Sequence, residues 1–213
     1  MKAKEVIAKA RIILQDEGMD YWPEGELAGW LNDGRMEAYA LRPDLYQVTE
    51  EMQLVEGYAQ VLPAGSRRLF RVERNISHPR QREITVINTG DLAKHRSGWR
   101  SMGKSAEILH YMYDELQPSE FQVYPPARGS VVVEINYAKL PESIPNDESE
   151  LDLVQEGEFA SALIDFVLYR AFQKEADTTP AFMDRATAHH NKFTSAFRGS
   201  VATQAATSPN QVG

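Results

Sequence analysis

The sequence contains no cysteine, and this absence removes several classes of site at once. Without cysteine there is no disulfide framework, no thiolate metal site and no thiol nucleophile. No run of residues approaches the roughly 20 apolar residues that a membrane-spanning helix requires. The first residues are charged at nearly every third or fourth position and lack the apolar core of a signal peptide. We therefore expect a soluble protein that is made and used in the cytoplasm.

Catalytic and metal-binding motifs are scarce as well. There is no Gly-x-Ser-x-Gly sequence, and no set of Ser, His and Asp suggests a catalytic triad. His189 and His190 are adjacent, so on a helix they point about 100° apart and cannot share one metal ion. We interpret the histidine on the apolar stripe of that helix as a hydrogen-bonded core residue. These residues therefore predict no catalytic triad, no metal site and no cofactor.

Charge is distributed unevenly along the 213 residues. The net charge is −8, yet residues 66–104 contain ten Lys or Arg against three Asp or Glu. This segment, here called the basic stretch, carries +7, and the remainder carries −15. Such asymmetry is typical of a nucleic-acid or acidic-protein contact, or of copies that join an acidic face to a basic one. It also fits the polar faces of β-strands, and this interpretation is preferred.

Residues 158–177 form the most apolar segment of helical length. Their apolar side chains fall on two adjoining stripes, which predicts a helix wrapped by neighbours rather than lying on a surface. The segment before it has the pattern of β-strands, so its helical partners must come partly from the N-terminus. Asp165 and Arg170 interrupt the apolar surface, which is consistent with an ion pair within the bundle or with a contact to a neighbouring subunit. We favour the ion pair for each.

Three further helices are predicted from apolar periodicity. The first spans residues 2–16, with Val6, Ala10, Ile13 and Leu14 on one stripe. The second has Pro23 in its first turn, ends before Pro43 and contains Gly29 and Gly34, which each cost about 1 kcal/mol relative to Ala. Both glycines are tolerable if another helix packs closely there. The last helix spans residues 180–197.

The middle of the chain alternates apolar and polar residues between Pro, Gly and Asn turns, which predicts five or six antiparallel strands. The clearest hairpin turns at residues 114–119, and the strand after it is expected to end at Tyr124, before two prolines. The predicted fold is α+β: a helical bundle built from both chain ends, with an inserted antiparallel sheet or small sandwich. The predicted boundaries are 1–47 and 150–198 for the bundle, 48–140 for the β insertion, 141–149 for a linker and 199–213 for a flexible tail.

Residues Gly98 to Ser105 match the phosphate-binding pattern G-x-x-x-x-G-K-S, with Lys104 in the lysine position. That chemistry requires a buried strand directly before the loop and a helix directly after it. Here the preceding residues are too charged for a buried strand, and the following residues read as a strand. We interpret the match as a mobile polar loop. A nucleotide-dependent enzyme using Lys104 remains an alternative, as does a generic DNA-associated protein using the basic stretch.

Several segments carry a shared pattern: residues 27–44, 49–54, 62–65, 113–118 leading into 121–126, 162–171 and 174–177. Together they resemble the adaptor proteins of tailed bacteriophages. The resemblance spans about residues 1–198.

This resemblance implies a head-to-tail connector. In that family a ring, usually of twelve copies, docks beneath the portal after DNA packaging and joins it to the tail or nozzle. DNA passes through the lumen without sequence-specific binding, and there are no catalytic residues to transfer. The resemblance places the protein at the head–tail junction of the virion, with assembly in the host cytoplasm.

The resemblance also suggests where contacts lie. A C-terminal extension commonly reaches the portal, which predicts portal contacts at Arg198, Val201, Pro209 and Val212. Arg96, Arg100 and Lys104 are candidates for the subunit interface or the lumen.

Overall fold

The computed structural model describes residues 1–145, 159–177 and 179–207, with side chains as far as Arg198. The chain divides into two compact units. The helical unit comprises Met1–Leu45 and Pro141–Gly213, and the β unit comprises Tyr46–Leu140. The predicted α+β class, with a bundle from both chain ends and a β insertion, is confirmed.

The helical unit is organised around one late helix. Its helices are α1 (Ala3–Leu14), α2 (Glu24–Leu41), α4 (Ala160–Glu175) and α5 (Ala181–Thr207). Helix α4 packs against the other three, as its two apolar stripes predict. Its buried side chains are Ala160, Ala162, Leu163, Phe166, Val167, Leu168 and Ala171.

Helices α2 and α4 approach most closely where Gly34 faces Phe166. A Cβ atom added to Gly34 would lie 2.8 Å from Cδ1 and 2.9 Å from Cγ of Phe166. The predicted close packing is therefore confirmed at Gly34. It is wrong for Gly29, because a Cβ atom there would meet nothing within 4 Å.

A buried ion pair, which the apolar pattern did not reveal, holds the turn after α1. The Arg11 guanidinium donates to Asp16 Oδ2 at 2.9 Å, and both side chains are 5% exposed. The Asp16 carboxylate also accepts hydrogen bonds from the backbone N–H groups of Tyr21 and Trp22, each at 2.9 Å. Arg11 thus takes a place on the buried face that the prediction gave to Ile13, which is 52% exposed.

The β unit is a sandwich of two sheets. One sheet has the strand order β1–β7–β3, and the other has the order β2–β6–β5–β4. Apolar residues from both sheets form one buried core between them. The strands are β1 (Gln47–Gln53), β2 (Gly57–Val61), β3 (Arg68–Asn75), β4 (Thr85–Val86), β5 (His110–Tyr113), β6 (Glu120–Ala127) and β7 (Val132–Ala138).

The buried side-chain amides of Asn75 and Gln60 hydrogen-bond to backbone groups that lie outside the regular strand pairing. The Asn75 side chain accepts from the N–H of Ile108 and donates to the carbonyl oxygens of Ile108 and Arg82. The Gln60 side chain accepts from the N–H of Val55 and donates to its carbonyl oxygen. Each amide therefore satisfies peptide groups that the ladders leave unpaired, which a buried polar group requires.

The β unit differs from the prediction in three respects. The predicted hairpin between β5 and β6 is confirmed, but β4 pairs with β5 in parallel rather than antiparallel. Strand β6 does not end at Tyr124. It continues through Pro125 and Pro126, because β5 pairing has ended there and the Pro126 carbonyl accepts from Ser105 instead.

The third difference is a short helix, α3 (Thr89–His95), in a segment for which no helix was predicted. The Asn88 side chain caps it by accepting from the N–H of Gly90 at 2.8 Å. An acidic residue in its first turn and basic residues in its last favour the helix dipole. These start and stop signals are present in the sequence, but the segment is too short to show apolar periodicity.

The last helix is ten residues longer than predicted. Helix α5 continues from the expected end at Phe197 to Thr207. Residues 201–207 hold three Ala and one Gln, which are strong helix formers, and the next proline is Pro209. Among the described residues, no helix has the length and apolar character needed to cross a membrane.

We expect Gly34→Ala and Gly29→Ala to have opposite effects on stability. In Gly34→Ala, overpacking against Phe166 costs about 1–3 kcal/mol, which exceeds or offsets the helix-propensity gain. Gly29→Ala meets no neighbour and gains up to about 1 kcal/mol from propensity alone. Thermal unfolding measures the difference, with about 2–4 °C expected per kcal/mol at this chain length. Equal stabilisation by both substitutions would contradict the close approach of α2 and α4.

The Asp16 carboxylate makes the stability of the helical unit depend on pH. Burial raises its pKa, but the N–H groups of Tyr21 and Trp22 and the Arg11 guanidinium outweigh this and hold the pKa below 3.8. Folding therefore gains free energy above pH 3.8, and this gain disappears as the pH falls through the folded-state pKa.

Asp16→Asn tests this dependence because Asn resembles the protonated acid. We expect the urea midpoint of Asp16→Asn to lie below that of wild type at pH 7. The difference between the two midpoints should be smaller near pH 3. The measurement is urea unfolding of both proteins at the two pH values. A gap of the same size at both would mean that the charge of Asp16 is not what stabilises the turn.

Candidate functional site

The segment from Gly98 to Ser105 covers the outer face of the four-stranded sheet. It follows α3, forms a short 3-10 helix at Trp99–Ser101, and leads into β5. The Ser105 N–H donates to the Pro126 carbonyl at 2.8 Å, which ties the end of the segment to β6. A helix therefore precedes the motif and a strand follows it, the reverse of the order that phosphate binding requires.

Trp99 is the anchor of this segment. Its side chain is 1% exposed and packs with Leu92, Met112 and Tyr124 in a second apolar cluster of the β unit. Its ring meets those of Tyr58 and Tyr124 edge to face, at centroid distances of 5.6 and 6.2 Å. The prediction of a mobile polar loop is therefore wrong, because a buried tryptophan fixes the segment to the sheet.

The three basic candidates differ in how many contacts their charged groups make with other residues of the β unit. The Arg100 guanidinium lies 4.5 Å from the ring centroid of Trp99 and donates to Gln122 Oε1 at 3.3 Å. Lys104 forms an ion pair with Glu56. The Arg96 side chain is exposed and forms no hydrogen bond or ion pair with any residue that the structure describes. Arg96 is thus the candidate whose charge is least engaged.

Most of the basic stretch is neutralised inside the β unit. Six of its ten cations pair with carboxylates of the same unit. The pairs are Arg68–Glu115, Arg71–Glu73, Arg74–Glu134, Arg82–Glu107, Lys94–Asp91 and Lys104–Glu56.

Counting charge by structural unit changes the picture that the linear sequence suggests. The β unit holds twelve Lys or Arg against eleven Asp or Glu, for a net charge of +1. The helical unit holds eleven against twenty, for a net charge of −9. The +7 of the basic stretch is therefore balanced within the sandwich, and the surplus negative charge belongs to the helices and the segments that join them.

The turns of α5 that contain Phe193 and Phe197 are fixed to the rest of the helical unit. Phe193 and Phe197 are fully buried, and the Phe197 ring stacks on that of Phe159 at 4.7 Å. The Arg42 guanidinium donates to the Phe197 carbonyl at 3.4 Å. Arg198, the next residue, is exposed.

The other predicted portal contacts cannot be placed by side chain. Val201 lies on the backbone of α5, but its side chain is outside the described part of the chain. Pro209 and Val212 lie outside the described residues altogether. The structure therefore locates Arg198 next to the anchored end of α5.

The partners of Asp165 and Arg170 on α4 lie within the helical unit. Asp165 Oδ1 lies 2.7 Å from His189 Nδ1, with both side chains largely buried. Arg170 lies 3.8 Å from Asp33 on α2, in a more exposed position. His189 also stacks on Phe172, which agrees with its interpretation as a hydrogen-bonded core histidine. No group of three or more His, Asp or Glu suited to a metal ion occurs among the described residues.

Comparison with known proteins identifies the family. A model of the SU10 adaptor protein family matches residues 1–213. The chain belongs to this family. SU10 adaptor proteins are phage head–tail adaptors, so the resemblance to adaptors of tailed bacteriophages is confirmed. The chain is accordingly a structural adaptor and a component of the virion that associates with head and tail parts. A search of curated proteins found no match.

The anchoring role of Trp99 predicts that its size, rather than the charge of Lys104, is what the segment requires. We expect Trp99→Ala to cost about 3–5 kcal/mol of unfolding free energy. Trp99→Phe keeps most of the volume and removes an indole N–H that finds no acceptor among the described residues, so its cost is smaller. Thermal unfolding of the full chain measures both.

Lys104→Ala is the matched test of the phosphate-binding motif. Its ion pair with Glu56 is exposed, so the expected cost is at most about 1 kcal/mol. ATP titrated into wild type by calorimetry should give no heat of binding. Binding that Lys104→Ala abolishes would restore the nucleotide hypothesis.

Proposed function

We propose that this SU10 adaptor family member forms a ring beneath the portal and joins the DNA-filled head to the tail or nozzle. Twelve copies complete the ring, and the genome passes through its lumen without sequence-specific contacts. The role is structural and involves no catalysis. Assembly takes place in the host cytoplasm, and the product is part of the head–tail junction of the virion. The observation that carries the proposal is the family match over residues 1–213.

The charge distribution supports passage of DNA without tight binding. Affinity for DNA comes mainly from cations that neutralise phosphates. Most cations of the β unit already face carboxylates, and the helical unit carries −9. Such a protein repels the genome weakly, which suits a channel wall. The same pairing removes the main support for a generic DNA-binding role, just as the helix–loop–strand order around Lys104 removes it for a nucleotide enzyme.

A ring built by heterologous contacts needs two different complementary surfaces on each copy. Arg96, Arg100 and Lys104 remain our candidates for one surface or for the lumen. Arg96 is the first among them, because its exposed guanidinium has no partner among the described residues. An acidic side chain on the neighbouring copy would complete its hydrogen bonding.

Portal docking is assigned to the C-terminal end of α5 and the residues beyond it. Phe197 belongs to the buried core of the helical unit, and the exposed Arg198 follows it directly. Arg198, Val201, Pro209 and Val212 remain the proposed contacts.

Truncation after Arg198 tests this assignment. We expect removal of residues 199–213 to leave the unfolding midpoint unchanged, since Phe193 and Phe197 are retained. Portal binding should weaken at least about tenfold, which corresponds to about 1.4 kcal/mol. Sedimentation with purified portal measures the affinity, and negative-stain electron microscopy detects rings stacked on the portal.

A second truncation, after Thr207, serves as the control. It keeps the helical part of the extension and removes only residues 208–213, so it separates the contribution of Val201 from those of Pro209 and Val212. Wild-type portal affinity in both truncated proteins would assign docking to another surface. A wild-type protein that forms no ring on the portal would contradict the proposed function itself.

A further inference from the structure

The outer strand of the three-stranded sheet has one hydrogen-bonding edge with which no described residue pairs. Strand β1 pairs with β7 on one side, and among the described residues no strand lies on its other side. Its pairing with β7 is regular over all seven residues, from Gln47↔Ala138 to Gln53↔Val132. Edge strands of this kind offer a row of free peptide groups to another chain.

The register identifies which peptide groups face outward. The Lys139 N–H donates to the Tyr46 carbonyl at 3.0 Å, and the Leu54 N–H donates to the Val131 carbonyl at 2.8 Å. Both bonds lie on the continuation of the β1–β7 register, and bonded pairs alternate with unbonded ones in an antiparallel ladder. The backbone N–H and C=O groups of the even-numbered residues between Tyr46 and Leu54 therefore point toward β7. The backbone groups that point away from β7 belong to Gln47, Thr49, Glu51 and Gln53.

These four residues leave eight peptide groups available. None of their N–H or carbonyl groups hydrogen-bonds to the backbone of another described residue on the open side. All four residues are exposed. A strand laid against this edge would satisfy the eight groups with alternate pairs, as in strand addition to a sheet edge.

The other sides of the sandwich are protected in ways that β1 is not. The far edge of β3 is covered by residues 82–84, through the Asn75 N–H to the Arg82 carbonyl and the Ile84 N–H to the Glu73 carbonyl. Strand β2 has an irregular register between Gly57 and Ala59. Natural edge strands are usually blunted by Pro, Lys or a bulge, and β1 contains none of these.

Glu50 is the one protective device on β1, and it is already satisfied. Its carboxylate accepts from Tyr137 Oη and from Lys139 Nζ, both at 2.7 Å and both within the same sheet. It therefore does not bar a further strand. The neighbouring Glu51 carboxylate has no hydrogen-bond partner among the described residues, so it leaves the edge acidic.

Charge and strand length together disfavour a second β1 as the occupant. An antiparallel β1–β1 pair that used all seven residues would place Gln47 opposite Gln53 and Glu50 opposite Glu50. Shifting the pair by two residues in one direction places Glu51 opposite Glu51, and shifting it in the other direction leaves Gln53 opposite Leu45, which lies outside the strand. Like charges directly opposite each other destabilise a strand pair, whereas a Lys or Arg opposite Glu51 stabilises it.

We propose that β1 is a docking edge that receives an extended, basic segment of a partner protein in the virion. The segment adds as a new strand beside β1, bonds to the peptide groups of Gln47, Thr49, Glu51 and Gln53, and places Lys or Arg opposite Glu51. This rests on the proposed function only in taking the partner from the virion. It is independent of the portal contacts assigned to α5.

Hydrogen exchange on the full chain tests the edge directly. Amides of Gln47, Thr49, Glu51 and Gln53 should exchange rapidly in the free protein and at least about tenfold more slowly in assembled virions. Amides of Val48, Glu50 and Met52 bond to β7 and should be protected in both states, so they form an internal control. Equal exchange of the outward amides in both states would overturn the inference. Protection in the free protein that increases with concentration would also overturn it, since a second copy would then be the occupant.

Thr49→Pro and Thr49→Ala form a matched pair of variants. Proline removes one outward N–H but no bond to β7, which an edge strand tolerates, and alanine keeps that N–H. Each variant is allowed to compete with wild type for incorporation into virions. We expect Thr49→Pro to be incorporated at least about tenfold less than Thr49→Ala, and a tenfold difference corresponds to about 1.4 kcal/mol. Equal incorporation would count against the edge. If Thr49→Pro loses protection at Val48 and Met52, it is misfolded, and the exchange experiment on wild type decides.

The two proposals fail separately. Rings of wild-type protein that stack on the portal, in virions whose outward β1 amides exchange freely, would remove the docking edge and leave the ring intact. Protected outward amides in virions whose adaptor forms no ring would do the reverse.

Discussion

The helical unit depends on the close approach of α2 to α4 at Gly34 and Phe166. A helix that is apolar on most of its circumference has no stable place on a surface, so α4 must be enclosed. Helix α5 follows α4 directly, but α1 and α2, which complete the enclosure, lie more than 100 positions earlier in the chain, and only a glycine lets α2 come near enough at Phe166. This arrangement permits the insertion of a β unit between α2 and α4. It requires only that the chain return to the helical unit after the insertion, which it does at Pro141.

Buried polar groups complete what apolar packing begins. In the helical unit, Asp16 holds Arg11 and two backbone N–H groups, and so shapes the turn between α1 and α2. In the β unit, Asn75 joins β3 to the residues before β4 and β5, and so links the two sheets along one side. On the opposite side Gln60 of β2 bonds to Val55, just after β1, while the outward backbone groups of β1 itself have no backbone partner among the described residues.

Apolar periodicity was enough to predict the four long helices, the β5–β6 hairpin and the interrupted bundle. It failed where a polar residue replaced an apolar one in the core, since Arg11 is buried while Ile13 is exposed. It also failed where a short motif suggested the wrong context. Trp99 lies between the glycines of an apparent phosphate loop, and its burial could not be inferred without knowing that a sheet face lay beneath it. Charge counted along the chain was similarly misleading, because ion pairs join residues far apart in sequence.

The two ends of the β unit lie side by side, since the Lys139 N–H donates to the Tyr46 carbonyl. The chain therefore leaves and re-enters the helical unit across roughly one inter-strand spacing, about 5 Å. Insertions within the sandwich do not move these two points, and a gene could exchange one sandwich for another without redesigning the helices.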